Sequence, residues 1–201
     1  MKQLVLALSA TPAPSLDNFV VGRNGTALAA LRALINQTQM ERVVYLYGER
    51  GCGKTHLLRA TGDALPALIA DDVHHLDAPQ QIALFNAFND ARTQGLPILI
   101  AGDTAPLELK VREDLRTRIG SGLVFQLHAL SDVEKREALR AHAQQRGLRL
   151  GDDVLNYVLT HLRRDMPTQM LVLDAIDQYS LVAKRPVTLP LVRQALESLE
   201  K

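Results

Sequence analysis

One cysteine in 201 residues excludes a disulfide framework and fits a reducing compartment. Neither sign of charge is in excess. Lys and Arg number 23 against 22 Asp and Glu, for a net charge of +1, so composition gives no electrostatic case for a dedicated nucleic-acid surface. No apolar run approaches the roughly 20 residues that cross a bilayer. The opening stretch Met1-Lys2-Gln3-Leu4-Val5-Leu6-Ala7-Leu8-Ser9-Ala10 faintly resembles a signal peptide. Its apolar run is shorter than such a leader needs and carries only one lysine, so a leader is not expected. Internal repeats and low-complexity tracts are missing too, and the length suffices for one core plus a small second domain.

What the chain does carry is phosphate chemistry. Gly48-Glu49-Arg50-Gly51-Cys52-Gly53-Lys54-Thr55 fits G-x-x-x-x-G-K-[ST] and follows the apolar run Val43-Val44-Tyr45-Leu46-Tyr47, the order of a P-loop between strand and helix. Glycines at 48, 51 and 53 permit positive φ and close approach of the backbone to phosphates, while successive N–H groups and the start of the next helix present positive potential. Lys54 would reach the β- and γ-phosphates and Thr55 would ligate Mg²⁺. Cys52, inside the loop, could act as a redox switch, but a small residue filling a tight turn is the better reading. Downstream, Leu68-Ile69-Ala70-Asp71-Asp72 is an apolar strand ending in two carboxylates, similar to a Walker B motif. Asp71 would hold Mg²⁺ and Asp72 would orient or activate the attacking water.

Residues 9 to 18 contain Pro12, Pro14 and Asp17 and read as a flexible lead. Helical patterning follows from Asn24 to about Thr38, then the first strand, the P-loop and a helix from His56 to Leu65. Asp71 comes only 17 residues after Lys54, too few for a further strand-helix unit of about 30 residues, so a small sheet of about four strands is expected. After it, Ala78 to Gln94 reads as helix, Leu96 to Ala101 as strand, Leu107 to Arg118 as mostly helix and Leu123 to Leu127 as the last strand. Apolar strands alternating with helices predict a parallel sheet with covered faces, an α/β fold.

From Ser131 the pattern is helical throughout. Ser131-Asp132-Val133-Glu134 is a capping box, Gly147 stands where a C-cap belongs, and Pro167 and Pro190 suit first-turn positions. Four helices are predicted, at about 131–146, 151–164, 167–183 and 189–200, with Met166, Met170, Leu173 and Ile176 at core spacing. Adjacent His74 and His75 should point apart, which argues against a metal pair; His56, His128, His142 and His161 show no ligand spacing. Arg163 and Arg164 read as surface cations near a helix C-terminus.

An α/β nucleotide domain followed by a small helical lid is the architecture of AAA+ ATPases. Within that class Leu16-Asp17-Asn18-Phe19-Val20-Val21-Gly22-Arg23-Asn24, the P-loop with Thr55-His56-Leu57-Leu58, Ile100-Ala101-Gly102-Asp103 and Asp114-Leu115-Arg116-Thr117-Arg118-Ile119-Gly120-Ser121-Gly122 resemble the ATPase domain of the bacterial replication initiator DnaA. The resemblance spans nearly the whole chain. The sequence shows no counterpart of the initiator's C-terminal helix-turn-helix domain, and Gln3-Leu4-Val5-Leu6-Ala7-Leu8 resembles the extended peptide by which partners dock on the replicative sliding clamp. Together with Arg164-Asp165-Met166 and Lys184-Arg185-Pro186-Val187-Thr188-Leu189-Pro190, these features are similar to the Hda group of DnaA-related proteins.

The resemblance implies three segments: 1–15 as clamp-binding peptide and lead, 16–130 as the nucleotide-binding α/β domain and 131–201 as the lid. It implies ADP or ATP with Mg²⁺ as cofactor, Val20 among the nucleotide contacts and Asp103 at the sensor 1 position. By the family's strand order the Walker B strand should lie at a sheet edge. Arg118 matches the arginine finger that one subunit presents to its neighbour's γ-phosphate; such a residue supplied in trans is worth about 10³ to 10⁵ in rate in GTPase activators. In the N-terminal peptide Gln3 would bond at a pocket rim, with Leu6 and Leu8 filling an apolar pocket and Leu4 supporting them. Where the family places a sensor 2 arginine, just after Met166, this chain has Pro167, which cannot contact phosphates; little discrimination between ATP and ADP is expected. The implied partners are DnaA and the sliding clamp (the DNA polymerase III beta subunit), with DNA reached only through the clamp, no membrane, and a possible homo-oligomer. The implied location is cytoplasmic, at the nucleoid through the clamp. The role implied is negative regulation of replication initiation by stimulating the initiator's ATP hydrolysis. An autonomous ATPase, or a subunit of helicase- or clamp-loader type, is the alternative.

Overall fold

The computed structural model describes residues 13–148, 150–161 and 166–199. The chain forms two compact units, which divide between Ala129 and Leu130. In the first, the order is α1 (Gly25–Ile35), β1 (Val43–Tyr47), α2 (Lys54–Ala64), β2 (Leu68–Ala70), α3 (Ala78–Thr93), β3 (Ile98–Gly102), α4 (Glu113–Gly120) and β4 (Leu123–Gln126), with 3-10 turns at Val73–His75 and Pro106–Glu108.

The four strands form one parallel sheet in the order β2-β3-β1-β4. That is the small sheet, with the Walker B strand at an edge, that the 17-residue spacing and the family order predict. Side-chain alternation divides the strands between two cores. Val44 and Leu46 of β1 join Leu99 and Ala101 of β3 beneath Leu31, Leu34, Leu57 and Leu58 of α1 and α2. Val43, Tyr45, Ile98 and Ile100 face Leu84, Phe88, Leu115 and Ile119 of α3 and α4. Coverage on both faces explains why β1 and β3 read as continuous apolar runs. At the edge, β2 has only three residues and Ile69 is 40% exposed.

Two segments depart from expectation. The lead expected at residues 9 to 18 is anchored over its described part: Leu16 is buried in the core, Ser15 and Asn18 exchange side-chain bonds, and the Ser15 carbonyl sits 2.9 Å from His56 Nε2. The helix expected from Leu107 to Arg118 is broken into the turn Pro106–Glu108 and α4. Leu109, 1% exposed, plunges into the core between them, and the Arg112 amide donates to Gln81 Oε1. Core anchoring thereby overrides a run of good helix formers.

The second unit contains α5 (Asp132–Gln145), α6 (Asp152–His161), α7 (Met166–Ala183) and α8 (Leu189–Leu199). The capping box at the start of α5 is formed by Ser131 and Glu134. At its other end Gly147 has φ +75°, with Gly147 N–H donating to Gln144 O and Leu148 N–H to Ala143 O, the paired bonds of a Schellman motif. The core holds Leu139, Val154, Leu155, Val158, Met166, Leu173, Ile176, Leu191 and Val192. Met170 is half-buried. Polar staples tie α5 to its neighbours: Arg136 to Asn156, Arg140 to Asp152, and His142 with Arg146 to Asp174.

Candidate nucleotide site

Parallel strands deliver their carboxyl ends to one edge of the sheet. There β1 enters the P-loop, β2 ends before Asp71, and β3 ends before Asp103. Gly48, Gly51 and Gly53 have φ of +149°, +84° and +101°. At Gly48 the demand is steric as well as conformational: a Cβ there would lie 2.2 Å from the Leu127 carbonyl oxygen, because the end of β4 packs on the loop. Gly53 precedes α2, and a Cβ on it would strike the Phe19 ring at 2.6 Å. The segment around Val20, itself half-buried, therefore lies against the phosphate loop.

Lys54 is 9% exposed and folds onto the loop's own carbonyls, donating to Gly48 O at 2.7 Å and Glu49 O at 3.1 Å. Thr55 Oγ1 donates to Asp71 Oδ2 at 2.5 Å, which brings the two expected magnesium ligands into contact across α2 and β2. Hydroxyl and carboxylate oxygens are the hard donors Mg²⁺ takes, and it commonly uses only one or two carboxylates beside phosphates and water, so these residues fit the ion. Asp71 Oδ1 accepts the Asp72 amide, and Asp72 is exposed with φ +49°, a left-handed conformation away from glycine. Cys52 is buried, with Sγ 3.9 Å from Lys54 Nζ. Burial pushes its thiol up from the usual range, against the opposing pull of the Lys54 charge, which accords with a space-filling role.

Asp103 is half-exposed, with His74 Nδ1 3.8 Å from its Oδ1. Contrary to the expectation that they diverge, the His74 and His75 rings touch on the 3-10 turn, with centroids 4.0 Å apart. Among the described residues no cluster of three or more metal-ligating side chains occurs. Arg118, in the last turn of α4, lays its guanidinium over Phe85 at 4.7 Å and Phe88 at 5.8 Å. Gln3, Leu4, Leu6, Leu8, Arg163 and Arg164 lie outside the described residues. Pro167 is the second residue of α7.

Several contributors escaped sequence reasoning. Asn24, 3% exposed, looks like an N-cap but makes no cap bond. Its amide instead pairs with both backbone groups of His128, tying the segment before α1 to the end of β4. Tyr45, wholly buried, donates its hydroxyl to Thr104 O at 2.8 Å, and burial, with the nearby Asp103 charge, pushes its pKa well above the usual phenol value. Both partners are remote in sequence, so no local pattern announces them.

A four-stranded parallel sheet with this phosphate loop and paired carboxylates, followed by an all-α unit, defines an AAA+ P-loop protein. The bacterial DnaA ATPase domain model matches residues 12–66 and the Hda lid domain model matches residues 132–196. An uncharacterised protein of Haemophilus influenzae is 32% identical, over 97% of this chain and 98% of its own. Among solved structures, domain III of the Thermotoga maritima replication initiation protein DnaA superposes with a TM-score of 0.69 at 22% identity, over 94% of this chain and 98% of that one. AMPPCP-bound DnaA from Aquifex aeolicus gives 0.63 at 20% identity, over 86% and 65%. The RuvB Holliday junction branch migration motor of Thermotoga maritima gives 0.60 at 19%, over 93% and 72%. The chain belongs to the Hda-like group of DnaA-related AAA+ proteins.

Proposed function

We propose that this protein is a nucleotide-bound regulator that docks on the DNA-loaded sliding clamp and stimulates ATP hydrolysis by DnaA, restraining replication initiation. The observation that supports the reading is the contact of Thr55 with Asp71, oxygen donors of the kind Mg²⁺ takes, beside Lys54 on the P-loop of an Hda-like chain. In this reading the P-loop amides and Lys54 hold the phosphates of ADP or ATP, Thr55 and Asp71 hold Mg²⁺, Val20 lines the nucleotide pocket and Asp103 faces the terminal phosphate. Mg²⁺ held by Thr55 and Asp71 would supply positive charge against the charge developing on the phosphates. Asp72, exposed beside Asp71, orients the attacking water in this reading.

Arg118 acts on a neighbour's nucleotide. Its planar guanidinium, resting on Phe85 and Phe88, keeps its donors in a fixed plane for the oxygens of a phosphate. Gln3, Leu4, Leu6 and Leu8 form the clamp peptide, and segments 1–15, 16–130 and 131–201 divide docking, nucleotide binding and lid. The protein works in the cytoplasm, near the nucleoid by way of the clamp. A second reading, an autonomous ATPase, draws on the same site, because Lys54, Thr55, Asp71, Asp72 and Asp103 supply every group that hydrolysis needs.

Phosphate release from ATP-bound initiator, mixed with clamp, DNA and this protein, tests the first reading against the second. The regulator gives a rise that needs all components and little turnover alone. Changing Gln3, Leu6 and Leu8 together to Ala abolishes the rise while leaving nucleotide affinity intact. Strong turnover by the isolated protein, unaffected by initiator, supports the second reading, and clamp binding that survives the triple change overturns the docking assignment.

A further inference from the structure

His74 stands two and three positions beyond the paired carboxylates, on the 3-10 turn that packs against β3. Its side chain is 18% exposed, and Nδ1 is buried with no hydrogen-bond partner among the described residues. A buried ring nitrogen left in this way bears the full cost of its lost hydration. The 3.8 Å to Asp103 Oδ1 is too long for a hydrogen bond, yet Asp103 is half-exposed, so its carboxylate has room to turn toward His74. The backbone around Asp103 is fixed meanwhile, since Tyr45 holds the next residue through the Thr104 carbonyl. The carboxylate is therefore the movable part, and His74 is its buried neighbour.

An aspartate facing a terminal phosphate repels it through like charge. A donor behind the carboxylate draws one oxygen back and disperses the charge. We propose that His74, as the Nδ1–H tautomer, is a positioning residue that turns Asp103 for a nucleoside triphosphate. The proposal rests on the reading of this site as a nucleotide site. A diphosphate places no γ-phosphate before Asp103, so His74 should distinguish the two ligands while touching neither.

Two measurements test it. Long-range ¹H–¹⁵N correlation spectra of the wild-type protein, saturated with a non-hydrolysable ATP, report the tautomer directly and do not depend on a variant folding. The Nδ1–H form is expected, and a bare Nδ1 with the proton on Nε2 overturns the proposal. Calorimetry then compares variants: His74→Leu should bind the ATP analogue about 3- to 20-fold more weakly, with ADP within about twofold of wild type, while His74→Gln, which keeps a donor, retains most of the affinity. Equal loss of both nucleotides in His74→Leu, or no loss of either, overturns it as well. If the wild type binds neither nucleotide, the site reading itself falls; if it binds both and only the His74 results fail, the site stands and His74 leaves it.

Discussion

Lys54 donates to the carbonyls of Gly48 and Glu49, so phosphates would exchange those two bonds for stronger ones to anionic oxygens. Lys54→Ala should weaken ADP and ATP binding by about 1.5 to 3 kcal/mol, read by calorimetry. Unchanged affinity would remove the P-loop assignment. A second residue reports on pH. Slight desolvation would raise the Asp114 carboxyl, but bonds from the Arg112 guanidinium and the Leu115 amide outweigh it and hold the carboxyl below its usual range. With the folded value depressed, its stabilisation is present above the unfolded carboxylate range and is lost as pH falls through the folded value. Asp114→Asn should therefore flatten the acid side of a plot of Tm against pH; an unchanged slope would deny the pair that role. At this scale legibility follows sequence distance. The P-loop residues and Asp71 are consecutive or follow a known spacing, whereas Asn24 satisfies His128 from 104 residues away.

The helices follow their local chemistry where that chemistry closes within one turn. The capping box of α5 and the Schellman end at Gly147 were both legible because each partner lies within five residues. Ser131→Ala removes the cap and should lower stability by about 1 kcal/mol, measured by urea denaturation of the whole chain. An unaltered midpoint would mean that packing alone sets the start of α5. The break before α4 was not legible, because Leu109 is drawn into the core by contacts that no helix pattern encodes. The contact between the His74 and His75 rings was not legible either, because it depends on side-chain rotamers that adjacency in sequence does not fix.

For the molecule as a whole, the spacing between Lys54 and Asp71 carried the most information, since it leaves room for α2 and β2 alone and puts the Walker B strand at the open edge. Strand existence followed from apolar runs and that spacing, and strand order from the family resemblance. Strand ends did not, because β3 begins two residues later than its apolar run and extends through Gly102, where a side chain would collide with the Tyr45 hydroxyl. In the proposed function the chain completes another subunit's active site. The most direct test compares phosphate release by initiator, clamp and DNA with the wild-type protein and with Arg118→Ala. The variant is expected to keep its own ADP affinity and clamp docking and to lose stimulation, with Arg118→Lys rescuing poorly because a point-like ammonium lacks the planar set of donors. An alanine variant that stimulates as well as wild type contradicts the proposed function.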